Sequence, residues 1–127
     1  MRFMIYYIFL ACAFCFACET GSLVESEKYF YKNGNLEKTR SINRVERWSI
    51  DSVYTPNEKP WFVLHTDLFS GVETGIIYDE NGKAYELSQS LGNRPHGWKI
   101  SNLNDPDSTH YRFYTEGEET CSFYLEN

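Results

Sequence analysis

The chain has 127 residues, a formal charge of −6 and an aromatic content of 17%. That length allows one ordinary domain. The acidic balance argues against nucleic acid, which rewards clustered Lys and Arg, and against a domain that rides on a membrane through basic contacts.

The first 18 residues read differently from the rest. Met1 and Arg2 make a short positive start, and residues 3–17 then run without charge. Such a run falls short of the roughly 20 residues that span a bilayer and suits the core of a secretory signal. Three of the four cysteines, Cys12, Cys15 and Cys18, lie in or at the end of it. Cys18 follows Phe16-Ala17 and precedes the polar Glu19-Thr20-Gly21-Ser22, a boundary that resembles a bacterial lipoprotein lipobox. The resemblance implies a signal peptide over residues 1–17, cleavage before Cys18, acylation of its thiol, and an exported protein held at the cell envelope. Cys15 stands where such boxes prefer leucine, and Cys12, after Leu10-Ala11, is a competing site. Ordinary signal-peptidase cleavage or an uncleaved anchor is the plain alternative. With Cys18 acylated, Cys121 is the one thiol left in the folded part, which excludes an internal disulfide framework. In Thr120-Cys121-Ser122-Phe123 it reads as a small apolar residue of a strand.

Residues 18–26 read as a tether and 27–127 as an all-β domain. From Glu27 onward, aromatic and β-branched residues alternate with polar ones between Asn, Gly, Pro and Asp punctuation, and no window sustains a helical period. The pattern predicts strands near 27–32, 36–42, 44–51, 60–67, 72–79, 83–89, 96–101, 109–115 and 119–125. Tyrosine-led turn motifs punctuate them: Tyr31-Lys32-Asn33-Gly34, Tyr54-Thr55-Pro56-Asn57-Glu58-Lys59 and Tyr78-Asp79-Glu80-Asn81-Gly82-Lys83. The leading tyrosines are 23 and 24 positions apart, the mark of a repeat whose units bury their apolar faces only against neighbours. Tyr114-Thr115-Glu116-Gly117-Glu118 reads as a fourth, eroded copy, 36 positions on, with an insertion of about a dozen residues before it.

Asn-Gly between alternating segments predicts a type I′ hairpin, with positive φ at both central residues. A two-residue loop at Asn81-Gly82 pairs Glu80 with Lys83, Tyr78 with Tyr85 and Ile76 with Leu87; Asn33-Gly34 likewise sets Tyr31 opposite Leu36. In the last hairpin a two-residue turn at Glu116-Gly117 would mix the faces. One more loop residue pairs Phe113 with Cys121 and Tyr111 with Phe123 and restores an apolar face, so an odd loop is expected. Residues 102–108 have no apolar period and read as an exposed loop.

These motifs, with Asn93-Arg94-Pro95-His96-Gly97-Trp98-Lys99, resemble the bacterial MORN-variant repeat, whose copies run roughly Tyr-Tyr-x-Asn-Gly-Lys, a polar strand, then a His-Gly-x-Trp-like segment. The resemblance covers most of residues 29–124. It implies an antiparallel meander of stacked β-hairpins that serves in binding and scaffolding; many bacterial members carry an antitoxin label. The Trp61–Gly75 segment lacks the repeat's glycines and the longer gap breaks the period, so a compact twisted sheet is as compatible as a regular solenoid.

The candidate chemistry is sparse. His65 and Asp67 share one face of a strand, and with His96 or His110 they could ligate zinc, but they have no recognised ligand spacing. Asn104-Asp105-Pro106-Asp107-Ser108 gathers oxygens without the spaced ligands and glycine of a twelve-residue calcium loop. Ser70 near His65 and Asp67 has the composition of a catalytic triad and no nucleophile-elbow pattern. No cofactor, no metal and no catalytic activity are therefore expected. The aromatics exceed what one face of a small sheet must bury. Trp48, Trp61, Trp98 and Tyr111 are the candidate partner-binding residues, since exposed Trp and Tyr are enriched at binding hot spots. The plain alternative for each is core filling. The sequence reads as a lipid-anchored envelope protein that binds a protein or glycan partner. An immunity protein neutralising a toxin through its acidic surface and a carbohydrate-binding module are the alternatives.

Overall fold

A computed structural model describes residues 24–125. The expected signal peptide, the lipidation site Cys18 and most of the tether lie outside the described residues. Nine strands form one antiparallel sheet in sequence order: β1 (Val24–Phe30), β2 (Leu36–Asn43), β3 (Trp48–Tyr54), β4 (Pro60–Asp67), β5 (Val72–Tyr78), β6 (Ala84–Leu91), β7 (Arg94–Ser101), β8 (His110–Thr115) and β9 (Glu118–Tyr124). A single 3₁₀ turn, Pro106–Ser108, is the exception. The all-β meander expected from the sequence is present, with two boundary differences. Val24, Glu25 and Ser26, read as tether, pair with Asn43, Ile42 and Ser41 and belong to β1. Strand β3 starts at Trp48, because the Asn43 side chain closes the preceding residues into a turn.

Among the described residues no hydrophobic side chain is buried. The sheet is open, with β1 and β9 as its edges, so apolar groups are shielded only by neighbours on the same face. One such row crosses the sheet as Val63, Ile76, Leu87, Ile100, Tyr111 and Phe123. The opposite face carries Val53, Phe62 and Ile77 in one row, and charged groups beside it. There Lys38 and Arg40 approach Asp51 Oδ1 at 3.1 and 3.4 Å without hydrogen-bond alignment, and Lys99 meets Glu86 at 3.1 Å. Stability therefore rests on backbone ladders and on cross-strand pairs worth about 0.2–1 kcal/mol each.

The turns depart from the expected type. Asp79 N–H donates to the Lys83 carbonyl and Gly82 N–H to the Asp79 carbonyl, at 2.8 and 3.0 Å. The same two bonds close Tyr31–Asn35 and Thr55–Lys59. Only the fourth residue of each is left-handed: Gly34 at φ 88°, Glu58 at 60° and Gly82 at 78°. This is a type I turn followed by a left-handed residue and a bulge, not type I′. Ile76 still faces Leu87, but Tyr78 faces Ala84, and Phe30 rather than Tyr31 faces Leu36. Glu37, Trp61 and Tyr85 are each passed over by the ladder. Counted from the bulges, the period is 24 throughout, and Phe30, Tyr54 and Tyr78 are the equivalent residues.

The fourth copy is displaced as well. In a meander, alternate turns lie on opposite edges, so 31–35, 55–59, 79–83 and 102–109 share one edge while 44–47, 68–71, 92–93 and 116–117 share the other. The Tyr114–Glu118 motif therefore sits across the sheet from the other three. No residues are inserted: Ser101 pairs with His110 nine positions on, as Ile77 does with Glu86, so residues 102–109 are the fourth turn at the unbroken period and the 36-position gap is one and a half repeats; Asn104 Nδ2 donates to Asp79 Oδ2 there. Its own turn, Glu116-Gly117, has both central residues left-handed, at φ 53° and 92°, as type I′ requires. Phe113 pairs with Cys121 and Tyr111 with Phe123 as expected, yet the face is restored by a bulge at Thr120 and not by an odd loop.

A Cβ at position 82 would meet no atom within 4 Å, so only the backbone opposes it. Gly82→Ala is expected to lower the unfolding free energy by about 1–2 kcal/mol in a urea titration, the cost of a left-handed alanine. An unchanged midpoint would refute the turn assignment.

Candidate functional site

The edge that carries turns 31–35, 55–59 and 79–83 is laced together across strands. Tyr31 Oη donates to the Tyr54 carbonyl at 2.7 Å, and Asn35 Nδ2 to the Pro56 carbonyl at 2.7 Å. Lys59 Nζ donates to the Glu80 carbonyl at 2.9 Å, and Asn104 then meets Asp79. Each turn is thus tied to the next. Between the second and third turns lies a groove of about 490 Å³ lined by Asn57, Lys59, Trp61, Tyr78, Asp79 and Glu80. Trp61 is 57% exposed at the bulge position, where no ladder partner draws its side chain into a row.

A second aromatic group lies on the sheet face near β9. Trp98 meets Phe113 edge-on at 5.0 Å and Phe123 at 6.2 Å, while Tyr111 stacks on Phe123 at 5.2 Å. The local sequence explains the position of Trp98. Between Ser88–Lys99 and Ser90–Pro95, Gln89 faces a three-residue stretch, His96-Gly97-Trp98. Gln89 Oε1 accepts from the Trp98 N–H at 2.9 Å, and Gly97 takes φ 81°. The glycine and the glutamine together turn the indole onto the apolar row.

The four candidate aromatics therefore do not form one patch. Trp98 and Tyr111 come together through Phe123. Trp61 stands at the turn-lined edge. Trp48 is half-buried on the opposite edge, where its indole N–H donates to Glu46 at 2.8 Å. Tyr85, one of the surplus aromatics but not one of the four candidates, is 42% exposed and equivalent to Trp61. Counting 24 residues from the bulge, instead of from the leading tyrosine, would have found it.

The carboxylate candidates are occupied by turn formation. Asp67 Oδ1 accepts from Phe69 N at 2.8 Å and its Oδ2 from Ser70 Oγ at 2.8 Å. Asn43, 24 residues earlier, does the same for Val45 and Glu46. No hydrogen bond links His65 to Asp67 or Ser70 among the described residues, so the triad composition has no triad geometry. Asp105 similarly accepts from Asp107 N and Ser108 Oγ, and the loop it closes lies at the surface. Among the described residues no three His, Cys, Asp or Glu side chains converge as metal ligands. Among the described residues one Ser–His pair exists: His110 Nε2 and Ser122 Oγ are 2.7 Å apart, with the imidazole stacked on Tyr124 at 4.2 Å, on the open outermost hairpin.

No protein-family model matches this chain, and neither a curated protein nor a solved structure does.

Two outcomes follow from the turn chemistry. Gly97→Ala places a Cβ 2.5 Å from Gln89 Oε1 in a left-handed conformation, and should cost about 1–2 kcal/mol and shift the Trp98 fluorescence maximum. Asp67 is held below its ordinary value of 3.8 chiefly by the Ser70 hydroxyl, and Asp79 chiefly by the Lys83 N–H. A depressed carboxylate stabilises the fold above pH 3.8, and the gain is lost as pH falls through the lower folded value. Thermal melts of Asp67→Asn/Asp79→Asn should therefore show a shallower fall in stability below that pH than the parent.

Proposed function

We propose that this chain is a non-catalytic binding protein that presents its β-repeat sheet to a partner, with lipid on Cys18 holding it at the cell envelope. The observation that carries the reading is an open sheet with large aromatics at its surface: Trp61, Tyr85, Trp98 and Phe123 are 38–57% exposed although they stand on or beside strands. Side chains of this kind bind well because a rigid ring desolvates a large area at small entropic cost. Asp67, Ser70 and Asp105 are used to close turns, and the His110–Ser122 pair lies on an open face without a cleft to exclude water. The resemblance to MORN-variant repeats supports the same reading, since those repeats are scaffolds.

The acidic charge of −6 favours, as a second reading, an immunity-type protein that neutralises a basic toxin. Salt-sensitive binding to one basic protein would select it.

Two measurements test the proposal. Intact mass of the protein from membranes of its native host should begin at Cys18 with a diacylglyceryl or triacyl adduct; an unmodified Met1 in the soluble fraction refutes anchoring and export. Turnover of a substrate by the purified protein, lost in His110→Ala, refutes the non-catalytic reading.

A further inference from the structure

We infer that the turn-lined edge binds a β-1,4-linked pyranose chain, with Trp61 and Tyr85 as two stacking platforms. The inference rests on the binding-surface reading above and names the ligand class of one part of that surface.

The 24-residue period places two aromatics at matching positions. Phe62, Ile77 and Glu86 form one row across β4, β5 and β6, and Trp61 and Tyr85 each lie one residue beyond it on the turn side. Both are bulge residues with equivalent backbone surroundings, so their rings occupy equivalent places. Two strand separations lie between them, which sets the rings about 10 Å apart. A β-1,4-linked pyranose chain is a flat ribbon with a two-fold repeat, and it presents the same apolar C–H face at every second ring. Its ring-to-ring advance over one such repeat matches that separation. Two platforms tied to a rigid sheet can thus stack alternate rings without distorting the chain.

Polar groups of the groove beside Trp61 suit the sugar hydroxyls. Asn57, Tyr78 and Glu80 line the groove beside Trp61 and offer an amide, a phenol and a carboxylate. Among the described residues, none of these three side chains has a hydrogen-bond partner, whereas Asp79 in the same groove is taken by Asn81, Lys83 and Asn104. Equatorial hydroxyls need such paired donors and acceptors at the rim, and the apolar ring face needs the indole. The inter-turn bonds from Lys59 to Glu80 and from Asn104 to Asp79 keep the groove walls at fixed separation before any ligand arrives, which lowers the ordering cost of binding. At the first repeat the equivalent residue is Glu37 and at the fourth Thr109, so the platform row ends at two, and the site spans about three rings.

The test uses the full chain in detergent micelles, titrated with cellohexaose and chitohexaose and with their disaccharides, read by calorimetry and tryptophan fluorescence. At least one hexasaccharide should bind, and the pair reports whether an N-acetyl group is required. Trp61→Ala should weaken binding at least about thirtyfold, the loss of one buried aromatic anchor. Tyr85→Ala should weaken the hexasaccharide about tenfold but leave the disaccharide, which reaches one platform, unchanged. Trp61→Phe should bind within a few-fold of the parent, and unchanged circular dichroism excludes unfolding as the cause of any loss. Absence of binding to both hexasaccharides, or binding indifferent to Trp61→Ala, overturns the inference. A protein partner that binds with Trp61-dependence in place of sugar would sink the glycan assignment and leave the binding-surface reading standing. A partner bound through the Trp98 face alone would do the same.

Discussion

The rest of the structure depends on one backbone choice: a single left-handed residue, rather than two, at the turns that follow β1, β3 and β5. One left-handed residue makes a three-residue connection with a bulge, and the bulge excludes one residue of the next strand from the ladder. That exclusion keeps the apolar rows in phase across the sheet, as the pairing of Ile76 with Leu87 shows. It also leaves Trp61 and Tyr85 outside any row. Glu58 adopts the same conformation as Gly34 and Gly82 without the excuse of a missing Cβ, and its carboxylate accepts from Leu36 N at 3.2 Å, which offsets part of the strain.

An open sheet has no second layer to cover its apolar groups. Where a sandwich would bury Trp98, Tyr111, Phe113 and Phe123, this chain shields each only with the others. Exposure of aromatic surface is thus built into the architecture, and the turn-to-turn hydrogen bonds supply the rigidity that a packed core supplies elsewhere. A surface that is aromatic, rigid and polar at its rim is suited to recognition; the same openness deprives any polar pair on it of a water-excluding pocket.

Much of the fold was legible in the sequence. Alternation located all nine strands, because in a one-layer sheet every strand shows its period-2 pattern without interruption by a second packing partner. The pairings Phe113–Cys121 and Tyr111–Phe123 followed from face matching alone. The candidate site was legible only in pieces. Trp48, Trp61, Trp98 and Tyr111 were singled out together; the structure exposes Trp61 and Trp98, ties the Trp48 indole to Glu46, and leaves Tyr85 without the ladder partner expected for it. Turn signatures such as Asn-Gly specify that the chain reverses and leave the loop length open by one residue, which is enough to change which aromatic is left out.

The sequence by itself determined that the chain is a meander of hairpins with a near-24-residue period, since side-chain alternation and turn residues are local properties. Tertiary structure decided which edge each turn occupies, that the 36-position gap is one and a half repeats and holds no insertion, and which aromatics share a surface. Those depend on counting strands and bulges across the whole sheet: Tyr114 carries the right motif yet lies on the far edge, because an odd number of reversals separates it from Tyr78.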